Sequence, residues 1–315
     1  MKDALDLTVL AQQHSDPEAA RQFLEAQRWP DGPVCPHCDS KDVYKLTAKP
    51  DSKKPVRAGV YKCAECREQF TVTVGTIFED SHVALNKWLL AIHLLCASKK
   101  GMSAHQLHRM LGVTYKTAWF MAHRIRYAMS QPSFTAAMKL KGVVECDETY
   151  VGGKGKTQFR GRATGKTRTA VVSVVKRGGE VRSFPVERVT AENLNEIVRK
   201  NVDRTAHFCT DQFPGYIGIG HMFAVHGTVN HSAGEYSRGY IHVNSAEGVF
   251  SILKRGLTGT YHQVAKHHLH RYLAEFDFRY NTRKGSDGSR TLLALKQTEG
   301  KRLMLRDSSE QTVPF

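Results

Sequence analysis

The sequence predicts an α/β fold carrying a small cysteine-bound module at its N-terminal end. Three observations point there. Between residues 140 and 260, short β-prone runs alternate with helical ones. Two Cys-x-x-Cys pairs lie within residues 35–66. Between these regions, residues 80–130 carry apolar side chains at helical spacing. The 315 residues are enough for two or three units, each with its own core. Composition shifts and Pro132 divide them into residues 1–78, 79–132, 133–285 and a polar tail, 286–315, with little core-forming content.

Residues 1–34 are polar and read as helical, and Pro30, Gly32 and Pro33 close the stretch. The cysteine pairs follow as Cys35-Pro36-His37-Cys38 and Cys63-Ala64-Glu65-Cys66. Two such knuckles can surround one tetrahedral Zn²⁺ with four thiolates, which leaves no open coordination position and marks the site as structural. The 24 residues between the pairs exceed the usual spacing, and the excess is the loop around Lys53-Lys54-Pro55. Beyond the second pair, Gln69 to Val74 alternates as a strand does, which suits a zinc ribbon. His37 reads as a loop residue, and Cys96, Cys146 and Cys209 as core residues.

Ser103 can cap a short helix ending at Leu111, Gly112-Val113 makes a turn, and Thr114 can cap a second helix through Tyr127. Leu107, Leu111, Ala118, Met121, Ala122 and Ile125 would form the shared core. Lys116, Thr117, Trp119, His123, Arg124 and Arg126 are then candidates for an outer, DNA-facing side, because a helix-turn-helix lays its second helix in the major groove.

The run from Val143 to Tyr150 reads as a strand, on which Glu145 and Asp147 share one face and Glu148 points to the other. Two more β-prone runs, Thr169 to Lys176 and Val181 to Val186, are joined by Arg177-Gly178-Gly179-Glu180 as a hairpin. Thr190 caps a helix through about Lys200, and a strand from Ala206 to Thr210 delivers Asp211 at its end. Val243 to Gly256 reads as an amphipathic helix. Ala246, Phe250, Leu253 and Leu257 face the core, and Asn244, Glu247, Ser251 and Lys254 form a polar stripe. A last helical stretch covers His267 to Arg283. Carboxylates from such elements can converge on one sheet edge, where a divalent cation such as Mg²⁺ relieves their repulsion. Asp211 and Glu247 are separated by 35 residues, and Lys254 follows Glu247 by seven, on nearly the same helix face, where it can hold a DNA phosphate. Alternation alone leaves Glu145 and Asp147 as equal candidates for the third acid.

A formal net charge of +16, with Lys and Arg spread along the whole chain, points to a polyanionic partner. The N-terminus lacks the pattern of a signal peptide, and the longest apolar run, Trp88 to Cys96, is too short for a bilayer span. No membrane role and a cytosolic location, or a nuclear one in a eukaryote, are therefore expected.

Taken together these motifs resemble the bacterial insertion-sequence transposases of the "fifteen-ninety-five" superfamily, relatives of the eukaryotic Merlin elements. The resemblance covers roughly residues 18–285 and rests on both cysteine pairs, Asp147-Glu148-Thr149-Tyr150-Val151-Gly152-Gly153-Lys154, Thr210-Asp211, His242-Val243-Asn244-Ser245-Ala246-Glu247, Lys254-Arg255, Glu275-Phe276 and Arg279-Tyr280-Asn281. It implies a ribonuclease-H-like core in which Asp147, Asp211 and Glu247 bind Mg²⁺ (or Mn²⁺), so that the resemblance selects Asp147 over Glu145. Some members carry Asn or His where Glu247 stands. It further implies two-metal phosphoryl transfer on double-stranded DNA, at terminal inverted repeats and at a target, with several protomers gathered on the ends. The resemblance to bacterial elements also implies a cytoplasmic, nucleoid-associated location. Lys254 and Arg255 join Lys116, Thr117, Arg124 and Arg126 as expected DNA contacts. Two other classes are weighed against this. A nickase with a His-hydrophobe-His pair and a nucleophilic Tyr would use His268-Leu269-His270 and Tyr272, but their helical spacing turns the two histidines to different faces. A zinc-ribbon regulator or domesticated transposase would bind DNA without cutting it.

Overall fold

The computed structural model describes residues 5–47, 56–130, 138–152 and 168–306. The loop at Lys53-Lys54-Pro55, the break at Pro132 and the Gly153-Lys154 end of the acidic motif lie outside them. Contacts group the described residues before 130 with those after 284, and residues 130–284 form a second unit.

In the first unit the polar start forms two helices, α1 (Leu7–Gln13) and α2 (Pro17–Arg28). Asp6 caps the first through Val9 N, and Asp16 caps the second ahead of Pro17, whose missing N–H suits a first helical turn. A three-stranded antiparallel sheet follows, β1 (Val43–Lys45), β2 (Tyr61–Cys63) and β3 (Gln69–Phe70), in that order. The expected strand through Val74 stops after two residues. Arg28 Nη1 takes the Val72 and Val74 carbonyls at 2.8 and 2.7 Å, and the Thr71 and Thr73 hydroxyls bond each other at 2.8 Å, so the chain turns instead of extending. Helices α3 (Leu85–Ala97), α4 (Ala104–Leu111) and α5 (Tyr115–Met129) complete the run. Ser103 caps α4, Gly112 closes it at φ 59°, where a residue without Cβ is least strained, and Thr114 Oγ1 accepts from Thr117 N at the start of α5. Leu107, Leu111, Ala118, Met121, Ala122 and Ile125 are all buried.

The second unit holds a five-stranded sheet. Its strands are β4 (Val143–Val151), β5 (Thr169–Lys176), β6 (Val181–Val186), β7 (His207–Asp211) and β8 (Val225–Val229), ordered β6-β5-β4-β7-β8. β4 runs antiparallel to β5, as β5 does to β6, and parallel to β7, which is parallel to β8. The β5–β6 hairpin has the limits its sequence predicts. β8 carries little strand signal in its residues, because Val225-His226-Gly227-Thr228-Val229 is short and broken by glycine. Helix α6 (Ala191–Asn201) covers one face, where Leu194 and Val198 meet Val144, Cys146, Val172, Val174 and Phe208. Helices α7 (Asn244–Gly256) and α8 (Leu269–Asn281) cover the other, through Ala246, Phe250, Leu253 and Leu273 against Val171, Val175 and Val181.

Along the outer edge of β6, Val181 N donates to Asn281 Oδ1 at 2.7 Å, and Ser183 N and Oγ donate to the Asp277 carboxylate at 2.7 Å each. Burial pushes the Asp277 carboxyl up to about 7 despite those two bonds.

The C-terminal stretch departs from the expected polar tail. Residues Asp287–Lys296 form α9, which packs on α3 within the first unit and buries Thr291, Ala294 and Leu295. His93 Nδ1 on α3 lies 3.1 Å from Thr291 Oγ1. The buried stripe begins at Gly288 and includes Thr291 and Ala294, small residues that give little apolar signal in the sequence. Among the described residues no helix is long and apolar enough to cross a membrane.

Candidate metal centre and active site

Each cysteine knuckle ends in a residue with left-handed backbone, Asp39 at φ 58° after Cys38 and Arg67 at φ 65° after Cys66. The reversal turns both pairs toward one point. Cys35 and Cys66 sulfurs stand 3.6 Å apart, as do those of Cys38 and Cys63, and all four lie within 4.8 Å of one another. A tetrahedron of sulfurs at the Zn–S distance has an edge of about 3.8 Å, so the set fits Zn²⁺ without rearrangement. Burial opposes ionisation of Cys63, but the Cys66 backbone N–H and the neighbouring thiols outweigh it and bring the thiol down to about 7. His37 is not part of the group.

The carboxylates come from three elements of the second unit. Asp147 lies within β4, and Asp211 is the last residue of β7. The parallel register pairs Glu145 with Cys209, which sets Asp147 and Asp211 level two residues further on, on the same face. Glu247 stands in the first turn of α7, above that face. Asp147 Oδ1 accepts from Glu148 N at 2.8 Å, and Asp211 Oδ1 from Phe213 N at 2.9 Å. Burial, together with the charges of Glu148, Asp211 and Glu247, raises the Asp147 carboxyl to about 7 despite its backbone bond. The three acids thus feel one another. Their oxygens are nevertheless spread more widely than the thiols: among the described residues, only the cysteines gather three or more ligand atoms within 4.8 Å.

Neighbouring groups have separate tasks. Glu148 accepts from the Tyr216 hydroxyl at 2.7 Å, on the face where Tyr216 also meets Cys146; burial raises its carboxyl, aided by the nearby Asp211 charge. Glu145 is fully buried and salt-bridged to Arg177 at 2.8 Å. His231 belongs to no motif in the sequence, yet its Nδ1 lies 3.8 Å from Glu247 Oε1. It stands two residues beyond the end of β8, so recognising that short strand is what finds it. Lys254 is exposed on α7 two turns after Glu247, and Arg255 Nε is bonded to the Ser251 carbonyl at 3.1 Å.

On the α4–α5 pair the expected DNA-facing set splits. Lys116 is exposed, and Thr117 and Trp119 are half-buried at the start of α5. His123, Arg124 and Arg126 are buried and do not face outward. Arg124 donates to the carbonyls of Ile77, Glu79 and Leu303 at 2.7, 2.9 and 3.0 Å, so its charge is spent on holding the unit together. The periodic stripe misassigned it because a long cationic side chain can satisfy backbone carbonyls inside a fold as well as phosphates outside it.

Comparison with known proteins bears on both centres. Residues 139–281 match the family described as the ISXO2-like transposase domain, and residues 15–69 match the transposase zinc-ribbon domain. The chain is also similar to an uncharacterized protein in transposable element ISH50 of Halobacterium salinarum. The two are 29% identical over 291 residues, which span 87% of this chain and 95% of the relative.

Proposed function

The chain belongs to the IS1595 family of insertion-sequence transposases, and from that premise we propose that it cuts and joins DNA with Asp147, Asp211 and Glu247. The observation that carries this reading is geometric: the β4–β7 register sets Asp147 level with Asp211 on the face that α7 covers with Glu247 in its first turn, and burial with the charges of Glu148, Asp211 and Glu247 raises the Asp147 carboxyl. Acids gathered in this way inside a chain of net charge +16 suit a divalent cation and a phosphate backbone. The strand order β6-β5-β4-β7-β8, with its mixed directions, supports a ribonuclease-H-like core over residues 133–285.

The three carboxylates would hold Mg²⁺ or Mn²⁺, which supplies Lewis acidity to the attacking and leaving oxygens of a phosphoryl transfer. The protein's own residues do the rest. Lys254 offers its ammonium to a phosphate beside the acids. Lys116 and Thr117, with the zinc ribbon and the α4–α5 helix-turn-helix, supply recognition of the terminal inverted repeats. Several protomers then hold two DNA ends and a target in line.

His268 lies in a 3-10 turn and His270 in α8, which removes the strand that a His-hydrophobe-His nickase needs. Incubation of the zinc-loaded protein with duplex DNA spanning the ends of its own element is the direct test. Strand cleavage with Mg²⁺ and none with a chelator of Mg²⁺ is the expected result. Tight binding without cleavage in either condition would instead favour a regulator.

A further inference from the structure

Glu145 shares its face of β4 with Asp147, but its surroundings give it a different task. Helix α7 has Val243 as its N-cap, a residue with no acceptor to offer, so the helix lacks a cap of its own. The missing acceptor comes from β4. Glu145 Oε2 receives Ser245 N at 2.7 Å and Ala246 N at 3.2 Å, and Oε1 receives Ser245 Oγ at 2.9 Å. Arg177 Nε, in the β5–β6 turn, donates to Oε1 at 2.8 Å. These four donors match the lone pairs of a carboxylate and leave none for a metal ion. Arg177 also reaches the segment ahead of α7, donating to Tyr240 O at 2.7 Å and to His242 O and Nδ1 at 3.3 and 3.2 Å. Glu145 has no exposed surface; Arg177 and the positive end of the helix balance its charge, and His242 Nδ1 lies 3.3 Å from Oε1.

Glu247 is the residue after Ala246. The first turn of α7 is thus bonded directly to the strand that carries Asp147, two residues further along. We propose that Glu145 is a positioning residue: by capping α7 from β4, with Arg177 as its clamp, it fixes where Glu247 stands relative to Asp147. This rests on the acidic-centre reading above. The acid that the sequence could not tell from Asp147 is a part of the frame that holds the centre, and not a ligand in it.

The test compares Mn²⁺ binding, read by electron paramagnetic resonance, with amide hydrogen exchange, on the zinc-loaded full chain. Glu145→Gln keeps the size and removes the charge. It should weaken Mn²⁺ binding by about tenfold to a hundredfold, the scale of a lost partner behind a metal ligand. Exchange at Ser245 and Ala246 should quicken while β5 and β6 keep their protection, whereas a merely structural role would loosen all of them together. Arg177→Lys, which keeps the charge and loses the fork, should move both readouts the same way, and it decides the matter where Glu145→Gln does not fold. Mn²⁺ affinity unchanged in a folded variant overturns the proposal. Asp147→Asn separates the two levels. If it loses Mn²⁺ binding and Glu145→Gln does not, the positioning role alone falls. If it binds Mn²⁺ as the unsubstituted protein does, the acidic centre falls and the positioning role falls with it.

Discussion

The cysteine centre and the carboxylate centre reach a gathered set of ligands by different routes. Cys35 and Cys66 are 31 positions apart, and two local turns, each with a left-handed residue, bring the four sulfurs together. Asp147 and Glu247 are a hundred positions apart and share no local turn; they approach only once β4, β7 and α7 have packed. The thiol set is closed and fits its ion as it stands. The acid set is wider, partly open, and held under electrostatic tension. A centre whose ligands are local can drive the folding of its module. One whose ligands are distant depends on a core built first, and its repulsion is a load that core carries.

The largest effect should come from removing zinc. Cys63→Ser or chelation takes away binding energy on the order of 10 kcal/mol, enough to unfold a sheet of three short strands. Hydrogen exchange of β1 to β3 should approach that of free chain while β4, β5 and β7 stay protected. Persisting protection of Tyr61 to Phe70 would break the contrast.

Asp147→Asn should act with the opposite sign on stability. Cleavage should fall about a hundredfold to a thousandfold, as when a group is lost from a preorganised electrostatic site. Yet above pH 7 the metal-free variant should melt higher than the parent, because a buried charge facing other acids is gone. A lower melting temperature would mean that the acids do not load the fold.

Arg124→Ala and Lys116→Ala divide the α5 cations by role. The first strips a charged donor from three carbonyls and should cost about 3 kcal/mol of stability in denaturant melts. The second should leave stability within about 0.5 kcal/mol and make the salt dependence of DNA binding shallower by about one unit of slope. Equal loss of stability in both would return Arg124 to the surface set.

A slope with pH tests the same load without touching the metal ligands. Asp147 and Asp277 both have carboxyls raised to about 7 in the fold, against about 4 in the free chain. The folded state therefore binds more protons across that window, and the metal-free protein should lose stability from pH 4 to 7 and level off above. Asp277→Asn, which can still accept from Ser183 N, should flatten part of the slope; an unchanged slope would remove Asp277 from the account.

Much of this was legible in the residues. Caps at Ser103, Thr114 and Thr190, the Gly178-Gly179 turn and the Cys-x-x-Cys pairs are local signals, and they gave the hairpin, α6 and the α4–α5 pair with nearly correct limits. What escaped depends on long-range partners. Glu145 as a cap for α7, Arg124 as a ligand for three carbonyls and α9 as a mate for α3 each need a contact that sequence spacing does not encode. β8, and with it His231, was hidden by brevity and by Gly227.

The cover on β6 has a consequence for how copies of the chain can meet. The outward N–H groups of Val181 and Ser183 are occupied by Asn281 and Asp277, and Pro185, next on that side, has none. That border is blunted, with no donor left to template an incoming strand. Copies of the chain cannot extend the sheet through β6, and a strand exchanged between neighbours or a fibril started by edge pairing has no foothold there. A basic protein concentrated along a polyanion is at risk of such sticking, and two side chains from α8 remove it on that flank.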